Sequence, residues 1–298
     1  MRTSTKNMIA SRRAVIVGGI ALTFVGTRLA AEPATLYFSA IPDEDESKLL
    51  ARFSKVAEYL SKQLGVPVQY IPLKSYPASV TAFKNDQIQL AWFGGLTGVQ
   101  AQRAVPDSRA IAQGEEDKTF VSYFIANASS GLKAADALPA SIAGKTFTFG
   151  AKTSTSGRLM PEFYLRKQFG KSPDELFSKV GYSGDHTKTV ELVQSGAYDI
   201  GAVNYTVFDS MVKEGKADPS KVSVIWKTPT FPDYNWTIRG DVDKRFGDGF
   251  LKKVQAALLG MTEPDLLQAF PRKRFIPAQN SDYAPIEETA KALGLLDG

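Results

Sequence analysis

The chain has 298 residues, 43% of them hydrophobic and 22% charged, with 36 Lys and Arg against 31 Asp and Glu. That length lies near the limit at which one hydrophobic core divides into two, and the composition excludes disordered, fibrous and low-complexity classes. The absence of Cys removes disulfides, thiolate metal sites and a Cys nucleophile, and it suits a compartment in which a stray thiol would be oxidised.

The chain opens with Arg2, Lys6, Arg12 and Arg13 ahead of an apolar run at 14–25, followed by Leu29-Ala30-Ala31. These are the charged, apolar and small-residue sections of a signal peptide, and the run is too short for a comfortable membrane span. Residues 1–31 are therefore expected to be a cleaved export signal. Ser11-Arg12-Arg13 resembles a twin-arginine signal, whereas Ala14-Val15-Ile16 lacks the usual aromatic, so the twin-arginine and general routes both remain open. Cleavage after Ala31 removes five basic residues and no acid, leaving 31 bases against 31 acids. The exported chain is then neutral, which removes the charge argument for a nucleic-acid partner.

Residues 35–41 read as a buried strand, and 44–64 carry apolar residues at helical spacing up to Gly65. A strand at 66–73, a short helix at 78–84 and a strand at 88–93 ending in Gly94-Gly95 complete a strand and helix alternation, the pattern of a mostly parallel sheet covered by helices. A second round begins at 145–149 and continues with a helix at 161–169, a strand at 180–182, a helix at 186–194, a strand at 199–203, a helix at 207–213 and a strand at 222–226. The fold class is α/β with two doubly wound lobes. Extended stretches at 119–127 and 234–239 are expected to cross between lobes as paired hinge strands, and helices at 243–260 and 286–293 to return to the first lobe. This gives lobe 1 as 32–123 plus 236–298 and lobe 2 as 124–235.

In open α/β sheets, ligands gather where strand ends lead into helix N-termini. The loop Lys152-Thr153-Ser154-Thr155-Ser156-Gly157 lies at such a place, and its four successive hydroxyls, with unpaired backbone N–H groups and the helix dipole, form a neutral anion cradle. One Ser or Thr alone would be an ordinary cap. The loop Phe93-Gly94-Gly95-Leu96-Thr97-Gly98 offers a second approach, with Thr97 as a hydroxyl donor. His186, the single histidine of the chain, opens the helix after Gly184-Asp185 and could present a ring N–H to an anion.

The run from Lys145 through Ser154-Thr155-Ser156-Gly157 to Pro161, then Tyr182-Ser-Gly-Asp-His186 and Tyr198-Asp-Ile-Gly-Ala-Val-Asn204, resembles the periplasmic phosphate, phosphite and phosphonate binding proteins of ABC transporters. Tyr76, the segment Gln89 to Gly94 and the segment Phe231 to Arg239 extend that resemblance over nearly all of the exported chain. It implies a type II periplasmic binding protein whose two lobes close on a ligand. By motif match it gives anion-holding roles to Ser154, Thr155, Ser156 and His186, with Tyr76 and Asp233 at further pocket positions. Tyr205 stands where phosphonate binders of this kind often carry a Glu that meets a ligand amine, so an aminoalkylphosphonate is not expected.

An enzyme on the same fold would want a metal cluster or an activated nucleophile, and one His, no Cys, no H-E-x-x-H and no Gly-x-Ser-x-Gly leave little means for either. The expectation is capture of a small oxyanion in the periplasm or at the cell exterior, without metal or cofactor, by a monomer that serves an inner-membrane permease. A carboxyl at Asp233 would favour a ligand that keeps a P–OH proton, pointing to phosphonate, phosphite or phosphate. A sulfate-like oxyanion, or an exported sensor subunit using the same cleft, are the alternatives.

Overall fold

The computed structural model describes residues 34–296. The expected export signal at 1–31 lies outside them. Strand β1 (Leu36–Ala40) leads into helix α1 (Glu46–Leu64), then β2 (Val68–Tyr70), α2 (Tyr76–Lys84), β3 (Leu90–Phe93), α3 (Gly95–Ala104) and β4 (Arg109–Gly114). The middle of the chain runs β5 (Ser122–Asn127), β6 (Thr146–Phe149), α4 (Met160–Phe169), α5 (Pro173–Leu176), β7 (Lys179–Tyr182), α6 (His186–Gln194), β8 (Ile200–Asn204), α7 (Tyr205–Lys213) and β9 (Val222–Lys227). It closes with β10 (Asn235–Ile238), α8 (Val242–Phe246), α9 (Phe250–Leu259), α10 (Pro264–Ala269), β11 (Phe275–Pro277) and α11 (Ala284–Ala292).

These strands form two sheets. The first has the order β11-β4-β10-β3-β1-β2 and the second β7-β6-β8-β5-β9. In the first, β1 is parallel to β2 and β3 while β10 runs antiparallel between β3 and β4. In the second, β6 is parallel to β7 and β8, and β5 is antiparallel to β8 and β9. Each sheet therefore has a parallel part, and the carboxyl ends of β1 and β3 in one sheet, and of β6, β7 and β8 in the other, all lead into helices or helical turns that bound one cleft.

Local chemistry explains the elements around that cleft. Asp45 accepts from the backbone N–H of Ser47 and Lys48 and so starts α1, whose Leu49, Phe53, Val56 and Leu60 are buried at helical spacing. Asp185 does the same for α6 by accepting from Lys188 N at 2.7 Å. One core joins Phe38, Phe53, Trp92 and Trp236 of the first sheet and its helices, and it includes Leu159 and Met160 from the opposite lobe. Phe124, Phe147 and Phe149 sit in a second core and Ile125, Val190 and Val203 in a third, on the two sides of the second sheet.

The structure corrects the hinge. Residues 119–127 and 234–239 do not pair with one another, because β5 belongs to the second sheet and β10 to the first. The two crossings meet just outside those strands, where Phe120 N donates to Phe231 O and Phe231 N to Phe120 O, both at 2.9 Å. The helix expected at 243–260 is broken in two, since Gly247 (φ 101°) and Gly249 (φ 82°) take left-handed conformations between α8 and α9. Helix α9 does return to the first lobe, where Tyr59 Oη donates to Ala257 O at 2.7 Å. Helix α3 replaces the loop expected after β3. Its glycines disfavour a helix in isolation, but Gly98 lies so close to Asn235 that a Cβ would come within 2.9 Å of its Nδ2, so packing selects the glycine.

Candidate ligand-binding site

The hydroxyl run sits between β6 and α4, as expected, but the chain enters α4 through a wide π turn, Thr155–Leu159. Such single π turns are rare and are frequent at functional sites. Ser154 caps this turn, its Oγ accepting from Gly157 N at 2.9 Å, which leaves the hydroxyl proton to point elsewhere. Ser154, Thr155 and Ser156 are all buried. Ser156 O accepts from Ser122 Oγ at 2.7 Å, so the cradle is braced by the first residue of β5.

Gly157 brings His186 to the same spot. A Cβ at Gly157 would lie 3.0 Å from both His186 Cε1 and Ser154 Oγ, so only glycine lets the imidazole and the serine hydroxyl approach the turn together. His186 is fully buried rather than a solvated first-turn residue. Its Nδ1 accepts from Asn204 N at 3.3 Å, which assigns the ring proton to Nε2, and Nε2 has no partner among the described residues. Burial lowers its pKa to about 4, partly countered by the charge of Glu44, so the ring is a neutral donor near pH 7.

The crossing segment ahead of β10, which holds Asp233, and the first lobe, which holds Tyr76, supply the other wall. Asp233 is 1% exposed, not a hinge-rim turn residue; its Oδ1 accepts from Gly95 N at 2.9 Å and its Oδ2 has no partner among the described residues. Burial raises its pKa to about 7, against the opposing pull of the Gly95 N–H and the Thr155 and Ser156 hydroxyls. Tyr76, at the start of α2, is likewise buried with an unpartnered Oη, and its phenol is pushed well above the ordinary range by burial and then by Asp43, with the Ser154 hydroxyl acting the other way. Besides Thr153 Oγ1 within the hydroxyl run, three buried polar atoms from other segments thus lack partners around one hydroxyl cradle, although buried polar groups are nearly always bonded. They are two donors, His186 Nε2 and Tyr76 Oη, and one carboxyl oxygen, Asp233 Oδ2, which suits a small oxyanion that carries a proton.

Two expected residues are placed differently. Thr97 is buried, but it gives its hydroxyl proton to Gly94 O at 3.1 Å as an internal brace of α3. The loop's donors are instead backbone groups, Gly95 N to Asp233 and Leu96 N to Thr155 Oγ1 at 2.9 Å. Tyr205 packs its ring against Phe120 at 4.8 Å and Tyr123 at 6.0 Å, in the aromatic seam beside the hinge. Its half-buried phenol is pushed up by desolvation and responds to Arg272 and Asp117, not to the cradle.

The loop after β1 also belongs to this cluster, although no hydroxyl or glycine pattern in the sequence marks it. There Asp43 O accepts from His186 N at 2.9 Å, and Asp43 Oδ2 accepts from Tyr234 Oη at 2.7 Å while Tyr234 Oη accepts from Asn204 Nδ2 at 2.9 Å. The strand-to-helix rule that found the other loops points to this one as well. Among the described residues no group of three or more His, Asp or Glu side chains is placed to hold a metal ion, and no helix is long and apolar enough to cross a membrane.

The family described as ABC transporter, phosphonate, periplasmic substrate-binding protein matches residues 38–283. The probable ABC transporter phosphite binding protein PhnD1 of Prochlorococcus marinus (strain MIT 9301) is 39% identical over 268 residues, covering 88% of this chain and 90% of that one. The phosphate-import protein PhnD of Mycolicibacterium smegmatis is 27% identical over 210 residues, 66% of this chain and 63% of that one. The 1.52 Å structure of PhnD1 from Prochlorococcus marinus in complex with methylphosphonate is similar at a TM-score of 0.83, covering 88% of this chain and 99% of that one. These are binding components of transporters and not enzymes. With two α/β lobes around a buried run of hydroxyls and a family match across both, the chain belongs to the periplasmic substrate-binding proteins of phosphonate ABC transporters.

Proposed function

We propose that the chain captures a small phosphorus oxyanion with a protonated oxygen, phosphite or methylphosphonate above all, and delivers it to an inner-membrane permease. The observation that carries this reading is the set of three unpartnered buried atoms, His186 Nε2, Tyr76 Oη and Asp233 Oδ2, around Ser154, Thr155 and Ser156. Two donors and the hydroxyls take the charged oxygens, and Asp233 Oδ2 takes the P–OH. Sulfate has no proton to offer that carboxyl near neutral pH and would face it lone pair to lone pair, so the sulfate-like alternative is set aside. The printed name of one relative, PhnD1, a probable phosphite binding protein whose structure holds methylphosphonate, supports the same class.

On this reading the exported chain begins after Ala31 and works as a monomer, and the expected lobe bounds, 32–123 plus 236–298 and 124–235, shift by one or two residues, because β5 starts at Ser122 in the second sheet and β10 at Asn235 in the first. Calorimetric titration of the exported chain with phosphite, methylphosphonate, phosphate, sulfate and selenate tests the function. Submicromolar binding of a phosphorus ligand, with sulfate and selenate at least a hundredfold weaker, is expected; tighter binding of sulfate than of every phosphorus ligand overturns it.

A further inference from the structure

The hinge also carries a buried ion pair. Asp117 lies in the helical turn Glu115–Thr119 on the first crossing and Arg272 between α10 and β11, and their side chains are 0% and 3% exposed. Arg272 Nε donates to Asp117 Oδ2 at 2.8 Å and Nη2 to Oδ1 at 2.6 Å, a two-pronged fork, while Nη1 donates to Phe270 O at 2.6 Å. Burying two charges costs desolvation that their attraction often fails to exceed, so stability alone is a weak account of such a pair. Its contacts supply another. Asp117 O accepts from Asp233 N at 3.0 Å, so the residue that holds the guanidinium also holds the backbone of the cleft carboxyl. The guanidinium carbon stands 5.5 Å from the ring centres of both Phe120 and Tyr234. Phe120 is bonded through its backbone to Phe231 on the other crossing, and Tyr234 bonds Asp43 and Asn204 on the two sides of the cleft. Gly114 makes room for the pair: its N donates to Asp117 Oδ2 at 3.0 Å, and a Cβ there would press on that oxygen and come within 2.6 Å of Arg272 Cδ.

We propose that Arg272 and Asp117 are a positioning pair: clamped at the hinge, they fix the backbone of Asp233 and the ring of Tyr234, and so aim the Asp233 carboxyl at the P–OH of the ligand. This rests on the phosphorus-oxyanion reading above and adds the residues that hold its discriminating carboxyl in place. Neither residue of the pair needs to touch the ligand. Arg272 suits the task because its planar fork fixes both oxygens of Asp117 while its flat face meets two rings, whereas a lysine keeps the charge without the fork or the plane.

The test is a double-mutant cycle read by calorimetry on the exported chain, with Arg272→Lys made in the wild type and in Asp233→Asn. Arg272→Lys should weaken phosphite roughly tenfold in the wild type and by less than about threefold in Asp233→Asn, where there is no carboxyl left to misplace. Sulfate, which has no proton for Asp233, should lose less than about threefold in Arg272→Lys alone. If thermal melting shows that Arg272→Lys is not folded, the double variant Arg272→Gln with Asp117→Asn, which removes both charges and keeps groups that can hydrogen-bond, takes its place in the cycle. Equal phosphite losses in the two backgrounds, a phosphite loss matched by sulfate, or no loss at all would make the pair merely structural and overturn the proposal, while leaving the phosphorus reading intact. A wild-type chain that binds neither phosphite nor methylphosphonate overturns both.

Discussion

His186 and Asp233 have their protonation set by burial, in opposite directions. His186 is held at about 4, so between its ordinary pKa of 6.5 and that value an unfolded chain takes up a proton that the folded chain does not. The contribution is complete above 6.5 and is lost as pH falls toward 4, by about 3 kcal/mol over the window. Denaturant melts of wild type and His186→Gln over this range should diverge from parallel by that order, the variant losing less stability on acidification. Parallel curves would mean that the ring is solvated. Asp233, raised to about 7, implies one proton shared between its Oδ2 and the facing ligand oxygen. Once carboxyl and ligand are both ionised, binding must draw that proton from solvent, so phosphite affinity should fall about tenfold per pH unit. Asp233→Asn supplies its own N–H, and in calorimetry across neutral to alkaline pH it should remove this fall and admit sulfate more readily. An unchanged alkaline slope would place the shared proton elsewhere.

Among the elements, those legible in the sequence were the ones whose signal is local. Helix α6 starts at His186 and ends at Gln194 because Asp185 caps it and its apolar residues keep a helical period, and both facts are written in adjacent residues. Helix α3, β4 and β11 were not legible. The first begins Gly-Leu-Thr-Gly, a sequence that reads as a turn until Asn235 packs against it, and the other two take their places only through partners distant in the chain. The cradle divides the same way. Its hydroxyls announce themselves, whereas the roles of Asp43 and Tyr234 arise from contacts across 191 residues. The π turn adds a consequence that the hydroxyl pattern alone does not carry, since Ser154 is both the cap that receives Gly157 N and a candidate ligand donor. Ser154→Ala should thus weaken phosphite binding tenfold to a hundredfold and also cost about 1 kcal/mol of stability, a fall of roughly 2 to 4 °C in Tm. Calorimetry and thermal melting check the two losses. A loss of affinity at unchanged Tm would show that the cap is dispensable.

Across the whole molecule, the site exists only where the lobes meet. Leu96 N of the first lobe donates to Thr155 Oγ1 of the second, and His186 N of the second donates to Asp43 O of the first, both at 2.9 Å. Binding and closure are therefore one equilibrium, and any contact made only on closure adds to affinity without touching ligand. The clearest such contact is Lys48 of α1 with Glu214 at the end of α7, at 2.8 Å, beside a cleft of 310 Å³ that Arg52, Thr206 and Ser210 also line. Glu214 also accepts from Ser210 and pairs with Lys216, and its pKa is lowered to about 2, first by the hydrogen bond from Lys48. Both partners are about a third exposed, at 28% and 33%, so the pair is worth at most about 1 kcal/mol and is screened by salt. Glu214→Gln should then weaken phosphite binding by no more than about fivefold at low ionic strength, and the two proteins should converge near 0.5 M salt. Because the folded pKa of Glu214 is depressed, its contribution is present above the ordinary value of 4.5 and is lost as pH falls toward 2, well below the neutral range in which Asp233 titrates. Calorimetry at pH 7.5 over a salt series separates the latch from the cradle. Loss of the cradle serine should persist at high salt, whereas loss of the latch should vanish, and a latch variant whose deficit survives 0.5 M salt would mean that Glu214 acts on the site by some route other than charge.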